Sequence, residues 1–194
     1  IRGKVHCSCG NVFRAINGLG GERPKFEMFA KMVLSESGQK KYQTISQWDK
    51  TIYEECERLL NELPKSAVMP VGFLSPGVNT DQALNWNFRK WSDFFNARQL
   101  YSLSLIGTAV RELEVREETR EALCALFSGT LEFNNLFASF KGEGTGAVRH
   151  MFSNHVLKPE RTPLEAHPWG TPQSSGSFST LFESRLVRAH HYKI

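Results

Sequence analysis

The spacing of apolar positions changes period along the chain, and each change predicts an element. Lys4-Val5-His6-Cys7-Ser8-Cys9-Gly10-Asn11-Val12-Phe13-Arg14-Ala15-Ile16 reads as two short strands around a tight turn, with Gly10-Asn11 as the turn residues. Asn17-Gly18-Leu19-Gly20-Gly21 then reads as a connector. Residues 25–34 alternate, with Phe26, Met28, Ala30, Met32 and Leu34 on one side and Glu27 and Lys31 on the other. That is the period of a half-buried strand. Ser37-Gly38 turns the chain and Lys41-Tyr42-Gln43-Thr44 returns as its partner. Ser46 is an N-cap with Asp49 three residues on, an acidic form of the capping box. Ile52, Cys56, Leu59, Leu60 and Leu63 are spaced as the stripe of a helix that Pro64 ends.

From Ala67 to Phe88 the periodicity dissolves into Pro, Gly and Asn, a long loop anchored by Val71, Phe73, Leu74, Leu84 and Trp86. A turn at Trp91–Phe95 leads into a helix capped by Asn96, with Leu100, Leu103, Ile106 (or Gly107), Val110 and Leu113 as its stripe. A second long helix is predicted over about 118–140, with Leu123, Leu126, Phe127, Thr130, Asn134 and Phe137 along one side. On that apolar side Asn134 needs partners and is expected to tie down a neighbouring loop. After Gly142, Gly144 and Gly146 a third helix is predicted over about 147–157. Four prolines make 159–177 extended, and Phe178–Tyr192 closes as an amphipathic helix. The fold class expected is α+β: a small N-terminal antiparallel β-sheet plus helix over 1–66, then a mainly helical part over 67–194.

Composition narrows the class. The 194 residues are 40% hydrophobic and 23% charged, which excludes collagen-like, disulfide-dense and strongly disordered chains. The net charge of +4 allows a nucleic-acid partner without demanding one. Charge is uneven: residues 1–80 hold 11 basic and 8 acidic side chains, 81–140 hold 6 and 8, and 141–194 hold 7 and 4. No apolar run reaches the roughly 18 residues of a membrane span. The opening Ile1-Arg2-Gly3-Lys4, with no Met or signal core, reads as an excerpt of a longer polypeptide. Cys56 and Cys124 sit in helical patterns as small buried hydrophobes, and the expected compartment is a reducing cytoplasm.

Metal chemistry is only half provided. Cys7 and Cys9 place two thiolates on a turn between strands, as half of a zinc ribbon would, whereas a structural zinc site takes four ligands. The other two would precede Ile1 in the parent protein, or the site is vestigial. His150 and His155 are five apart, on different sides of a helix, and no Gly-x-Ser-x-Gly elbow or His-Glu-x-x-His helix occurs. Gly142-Glu143-Gly144-Thr145-Gly146 would cradle an anion at a helix start or serve as a connector with Thr145 as N-cap. Trp86, Phe88, Trp91, Phe94 and Phe95 lie beside Arg89, Lys90 and Arg98. Such a mixture either stacks bases and holds phosphates or anchors the loop to the helix.

These same residues resemble a family. Asn79-Thr80-Asp81-Gln82-Ala83-Leu84-Asn85, followed by Trp91-Ser92-Asp93-Phe94-Phe95-Asn96-Ala97-Arg98-Gln99-Leu100, is similar to the Trp-x-Asp-[Leu/Phe]-Phe-x-x-Arg-Gln-Leu signature of bacterial adenine-specific DNA methylases. Phe133-Asn134-Asn135 falls where that family carries an Asn in a long helix. Pro163-Leu164-Glu165-Ala166-His167-Pro168-Trp169-Gly170 and Ser174-Ser175-Gly176-Ser177-Phe178 look like its Glu-x-Asn-[Pro/Val]-Trp and Ser-Gly-[Ser/Thr]-Phe segment. The similarity spans nearly the whole chain. His167 stands where the family has Asn, and the paired upstream cysteines of a full zinc site are missing.

The resemblance implies a parent enzyme that transfers methyl groups from S-adenosylmethionine, with its cofactor motif before this region and an Asp-Pro-Pro-Tyr catalytic motif after it. No Asp/Asn-Pro-Pro-Phe/Tyr occurs in the chain, which is therefore expected to be non-catalytic by itself, with no cofactor of its own. Two roles follow. As a target-recognition insertion it would meet DNA through Arg89, Lys90, Trp91, Arg98, Gln99, Arg149, Lys158 and Arg161, with Arg185 and Arg188 in the positive tail. Alternatively it is a structural module packed on its own catalytic domain. A self-contained metal-dependent enzyme is the third and weakest option.

Overall fold

The computed structural model describes residues 4–140, 148–171 and 174–193. The glycine-rich segment from Gly142 to Gly146, read as an anion cradle or connector, lies outside the described residues. The fold is α+β. Two antiparallel hairpins come first: β1 (Lys4–His6) with β2 (Val12–Arg14), then β3 (Ala30–Leu34) with β4 (Lys40–Thr44). They are separate two-stranded sheets rather than one sheet, and a third pair, β5 (Ser139–Phe140) with β6 (Val148–Arg149), lies in the helical part. The helices are α1 (Gln47–Glu62), a short α2 (Asp81–Asn85) inside the long loop, α3 (Ala97–Glu112) and α4 (Glu117–Leu131). A terminal helix runs from Phe178 to Lys193, its middle, Phe182–Val187, widened into π-helical turns.

The first helix starts where its cap dictates. The Ser46 amide and hydroxyl donate to Asp49 Oδ2, each at 2.7 Å, and the Asp49 amide donates back to Ser46 Oγ. Lys31 Nζ adds bonds of 2.8 Å to both carboxylate oxygens. This ion pair reverses the face expected of β3. Lys31 and Val33 turn towards the helix and are half-buried, while Met32 and Leu34 are exposed. Alternation predicts a strand but not which side is covered, and a charged pair at a helix start decides it here.

The Lys31 ammonium and the Ser46 donors hold the Asp49 carboxyl well below the usual range. A depressed folded-state pKa contributes stability that is complete above about pH 4 and lost as the pH falls towards the folded value. Asp49→Asn is therefore expected to lower Tm at neutral pH and flatten the dependence of Tm on pH below about 4. Identical acid limbs for the two proteins would contradict this.

Helix α4 is shorter than its pattern predicts because two asparagines close it. Asn134 Nδ2 takes the Thr130 carbonyl at 2.8 Å, and Asn135 Nδ2 takes those of Leu131 and Glu132 at 2.7 and 3.1 Å. The carbonyls left unpaired at a helix end are satisfied by side chains, and the backbone departs. The turn is then held by Phe137 N donating to Asn135 Oδ1 and Leu136 N donating to Phe94 O. The helix expected over 147–157 is also absent from its described part. Val148–Arg149 pairs with β5, and a single 3-10 turn, Met151–Asn154, ends at His155 with φ of 57°.

Two apolar clusters hold the helical part together. One gathers Leu74, Ala83, Phe88, Phe94, Leu136, Phe137 and Leu157. Its rings pack at centroid distances of 4.3 Å (Phe94–Phe137) and 5.0 Å (Phe88–Phe137). Full burial of each such ring is worth about 1.5–3 kcal/mol. The other joins Ile106 and Val110 of α3, Leu123 and Leu126 of α4, and Phe178 and Leu181 of the terminal helix. Several expected core positions lie elsewhere: Val71, Phe73 and Leu113 are exposed, Cys124 is exposed and Cys56 is half-buried. Among the described residues no helix is long and apolar enough to cross a membrane.

Candidate functional site

The Trp91–Leu100 segment builds a scaffold from its own backbone upward. Asp93 Oδ2 accepts from the amides of Arg89 and Lys90, both at 2.8 Å, and so closes the turn that drops Phe94 into the core. Asn96 Oδ1 accepts from Gln99 N at 2.8 Å, and Gln99 Oε1 accepts from Asn96 N at 3.0 Å, a reciprocal cap for α3. The capped helix then aims Arg98 across the molecule. Its Nε and Nη2 donate to Glu165 Oε1 and Oε2 at 2.6 and 3.0 Å, and Asn96 Nδ2 adds a bond of 2.8 Å to Oε2. Nη2 also lies 3.2 Å from Met28 Sδ, and the guanidinium sits 5.5 Å from the Tyr53 ring centroid.

This clasp joins four stretches of chain. Bonds to Glu165 hold the Arg98 guanidinium charged against the cost of its burial. Burial pushes the Tyr53 phenol up, with the Ala97 amide opposing, and burial likewise pushes the Cys56 thiol up. Glu165 is delivered by the extended segment before it, where Leu164 N donates to Ala138 O at 2.9 Å.

A second junction lies at the C-terminal loop. Asn134 Nδ2 donates to Gly176 O at 2.9 Å, the loop tie expected of it, although Asn134 sits beyond its helix rather than within it. Trp169 stacks on Phe178 with centroids 5.9 Å apart, and Gly170 N donates to His167 Nδ1 at 3.1 Å. The amides of Phe178 and Ser179, at the start of the terminal helix, are taken by the carbonyls of Pro168 and Trp169. Gly170 packs against Ser177 and Ser179 with no room for a side chain.

Of the motif residues, Arg98 and Glu165 meet at the first junction with Gln99 in the cap beside them, whereas Trp91, Asp93 and Phe95 lie in the preceding turn; Asn134 and Gly176 meet at the second, beside Trp169 and Gly170. The structure separates the expected nucleic-acid residues into two groups. Arg89, Lys90, Trp91, Arg149 and Arg161 are exposed and Lys158 is half-buried, while Arg185 and Arg188 are exposed on the terminal helix. Arg98 and Gln99 are turned inward: Arg98 is spent on Glu165, and Gln99 is 1% exposed. Phe73, which patterning assigned to the interior, is 71% exposed.

Cys7 and Cys9 lie exposed at the β1–β2 turn, where bonds from Cys9 pull the Cys7 thiol below its usual value. Among the described residues no three His, Cys, Asp or Glu side chains come together to hold a metal. Cys7 and Cys9 by themselves supply two of the four ligands that a structural zinc site takes. Compared with known proteins, the chain matches no family model, no curated protein and no solved structure.

Proposed function

We propose that the chain is a non-catalytic, DNA-facing insertion of an adenine-N6 DNA methyltransferase that uses S-adenosylmethionine. The observation that carries this is the convergence of the segments that resemble the methylase family. Residues 91–100 and 163–170 meet at Arg98–Glu165, and residues 133–135 and 174–178 meet at Asn134–Gly176. Segments up to 69 residues apart in sequence support one another. Their signature side chains are spent on holding the scaffold, which suits an element that shapes a larger enzyme. Among the described residues expected to contact nucleic acid, Arg89, Lys90, Arg149 and Arg161 are exposed.

The test is fluorescence anisotropy of the 194-residue chain with a labelled DNA duplex between about 50 and 200 mM salt. Binding is expected to weaken steeply, and replacing Arg89 or Lys90 with Ala should reduce the slope of log K against log salt by about one each. Negligible binding at low salt would reject the DNA-facing role. Exposed Val71, Phe73 and Val78 favour the second reading, a face packed on the parent's catalytic domain.

A further inference from the structure

No side chain before Asp49 is buried among the described residues, so the β3–β4 hairpin stands on the molecule without a core of its own. Met32 and Leu34 of β3 share one face with Tyr42 of β4, which lies directly opposite Met32, and that face is turned away from α1. Tyr42 is 64% exposed, with the edge of the Phe140 ring at a centroid distance of 6.2 Å. All five residues of β4 are exposed, and among the described residues β3 is its one strand neighbour.

The hairpin turn sets which main-chain groups the open edge of β4 offers. Ser35 N donates to Gln39 O and Gly38 N to Ser35 O, both at 2.9 Å. Hydrogen-bonded and non-hydrogen-bonded pairs alternate along an antiparallel ladder. Val33 with Lys41 and Lys31 with Gln43 are therefore the bonded pairs, while Met32 with Tyr42 and Ala30 with Thr44 point their amides and carbonyls outward. The outer row of β4 thus includes the N–H and C=O of Tyr42 and Thr44. Another extended polypeptide matches such a row, whereas a phosphate backbone has no alternating donors and acceptors at strand spacing. Charge then selects the kind of strand. Residues 1–48 carry 8 Lys and Arg against 3 Asp and Glu, whereas the rest of the chain, with 16 and 17, is close to neutral. Lys40 and Lys41 are adjacent on β4, and the strand holds no carboxylate. Edge lysines discourage pairing with a like-charged strand, and opposite charges facing each other across a ladder attract. A second copy would bring the same two lysines and fits this edge less well than a strand bearing carboxylates.

We propose that the β4 edge accepts an acidic, extended segment of a partner protein as a third strand. Its backbone bonds to Tyr42 and Thr44, its carboxylates face the lysines of β4, and an apolar side chain lies over Tyr42 and Met32. None of these residues is among those assigned to DNA, so the two readings fail separately.

The experiment titrates the full chain with three labelled synthetic peptides of equal length: alternating Val and Glu, alternating Val and Lys, and alternating Glu and Pro, the last acidic but unable to pair as a strand. The Val-Glu peptide is expected to bind several-fold more tightly than either of the others. In hydrogen exchange it should protect the Tyr42 and Thr44 amides and leave those of Lys41 and Gln43, already bonded to β3, unchanged. Lys41→Glu, at an exposed strand position, should weaken the Val-Glu peptide by about twofold to tenfold and strengthen the Val-Lys peptide. Thr44→Pro removes one outward donor and should weaken the Val-Glu peptide while the Lys41 and Gln43 amides stay protected. Equal binding of the Val-Glu and Glu-Pro peptides would reduce the edge to a charge effect and overturn the proposal. Protection confined to other residues, a neutral Lys41→Glu, or no binding of any peptide would overturn it as well. Duplex DNA that protects the Tyr42 and Thr44 amides would overturn it by giving the edge to nucleic acid.

Discussion

Gly176→Ala is expected to destabilise the chain by about 2–5 kcal/mol, the sum of a left-handed backbone and an overpacked neighbour. Gly176 has φ of +69°, and a Cβ on it would lie 2.2 Å from Phe133 Cγ and 2.4 Å from Phe133 Cβ. Both are atoms close to the backbone, so no flexible side-chain end moves aside. The displaced carbonyl is also the one that Asn134 binds, and through it the end of α4 is tied to the start of the terminal helix. For a chain of this size the loss corresponds to a fall in Tm of roughly 5–15 °C. Gly10→Ala is the control, with φ of +86° and nothing within 4 Å of an added Cβ. It should cost only the backbone part, about 1–2 kcal/mol. Equal effects at the two positions would mean that Phe133 does not confine the loop.

The second large effect is expected at the Arg98–Glu165 clasp. Truncating one partner of a fully buried ion pair costs about 3–5 kcal/mol. These side chains remain 25% and 20% exposed, so water relieves part of that cost and about 1–3 kcal/mol is expected for Glu165→Ala or Arg98→Ala. The double variant should be no worse than the poorer single one, giving a coupling energy of about 1–3 kcal/mol in a double-mutant cycle by urea unfolding. Additive losses would show that the bonds seen between Arg98 and Glu165 contribute nothing net. Arg98→Lys is also expected to lose most of the coupling, because an ammonium lacks the planar fork that sets Nε and Nη2 against the two Glu165 oxygens.

Local chemistry was the legible part of this fold. The Ser46–Asp49 and Asn96 caps and the stop at Pro64 each depend on residues a few positions apart and stand where patterning predicts them, while the first hairpin turns at Cys7–Gly10, with Gly10 closing the turn and Asn11 already paired with Cys7. Long-range choices were not legible. Alternation over 25–34 carries no information on which face Asp49 will claim. Nothing in residues 118–140 says that Asn134 and Asn135 will turn their amides back onto the helix carbonyls and end it.

The candidate site followed the same division. A lone Arg98 beside aromatics suits phosphate contact as well as it suits a carboxylate partner, and Glu165 lies 67 residues away. Phe73 was read as a core anchor because its residue type favours burial. Instead its bridge to Lys90 takes the ring outward, and the adjacent Leu74 fills the core position. The chemistry of a contact surface is set by what remains after the interior has been filled, and that remainder is written in three dimensions.

The most direct measurement is a two-dimensional amide NMR titration of the chain with a DNA duplex at low salt. Shifts are expected to centre on the amides around Arg89, Lys90, Arg149 and Arg161, while the inward-facing Arg98 and Gln99 stay still. A footprint centred on another surface, such as the Arg185–Arg188 face of the terminal helix, or a spectrum that saturating DNA leaves unchanged, would contradict the account.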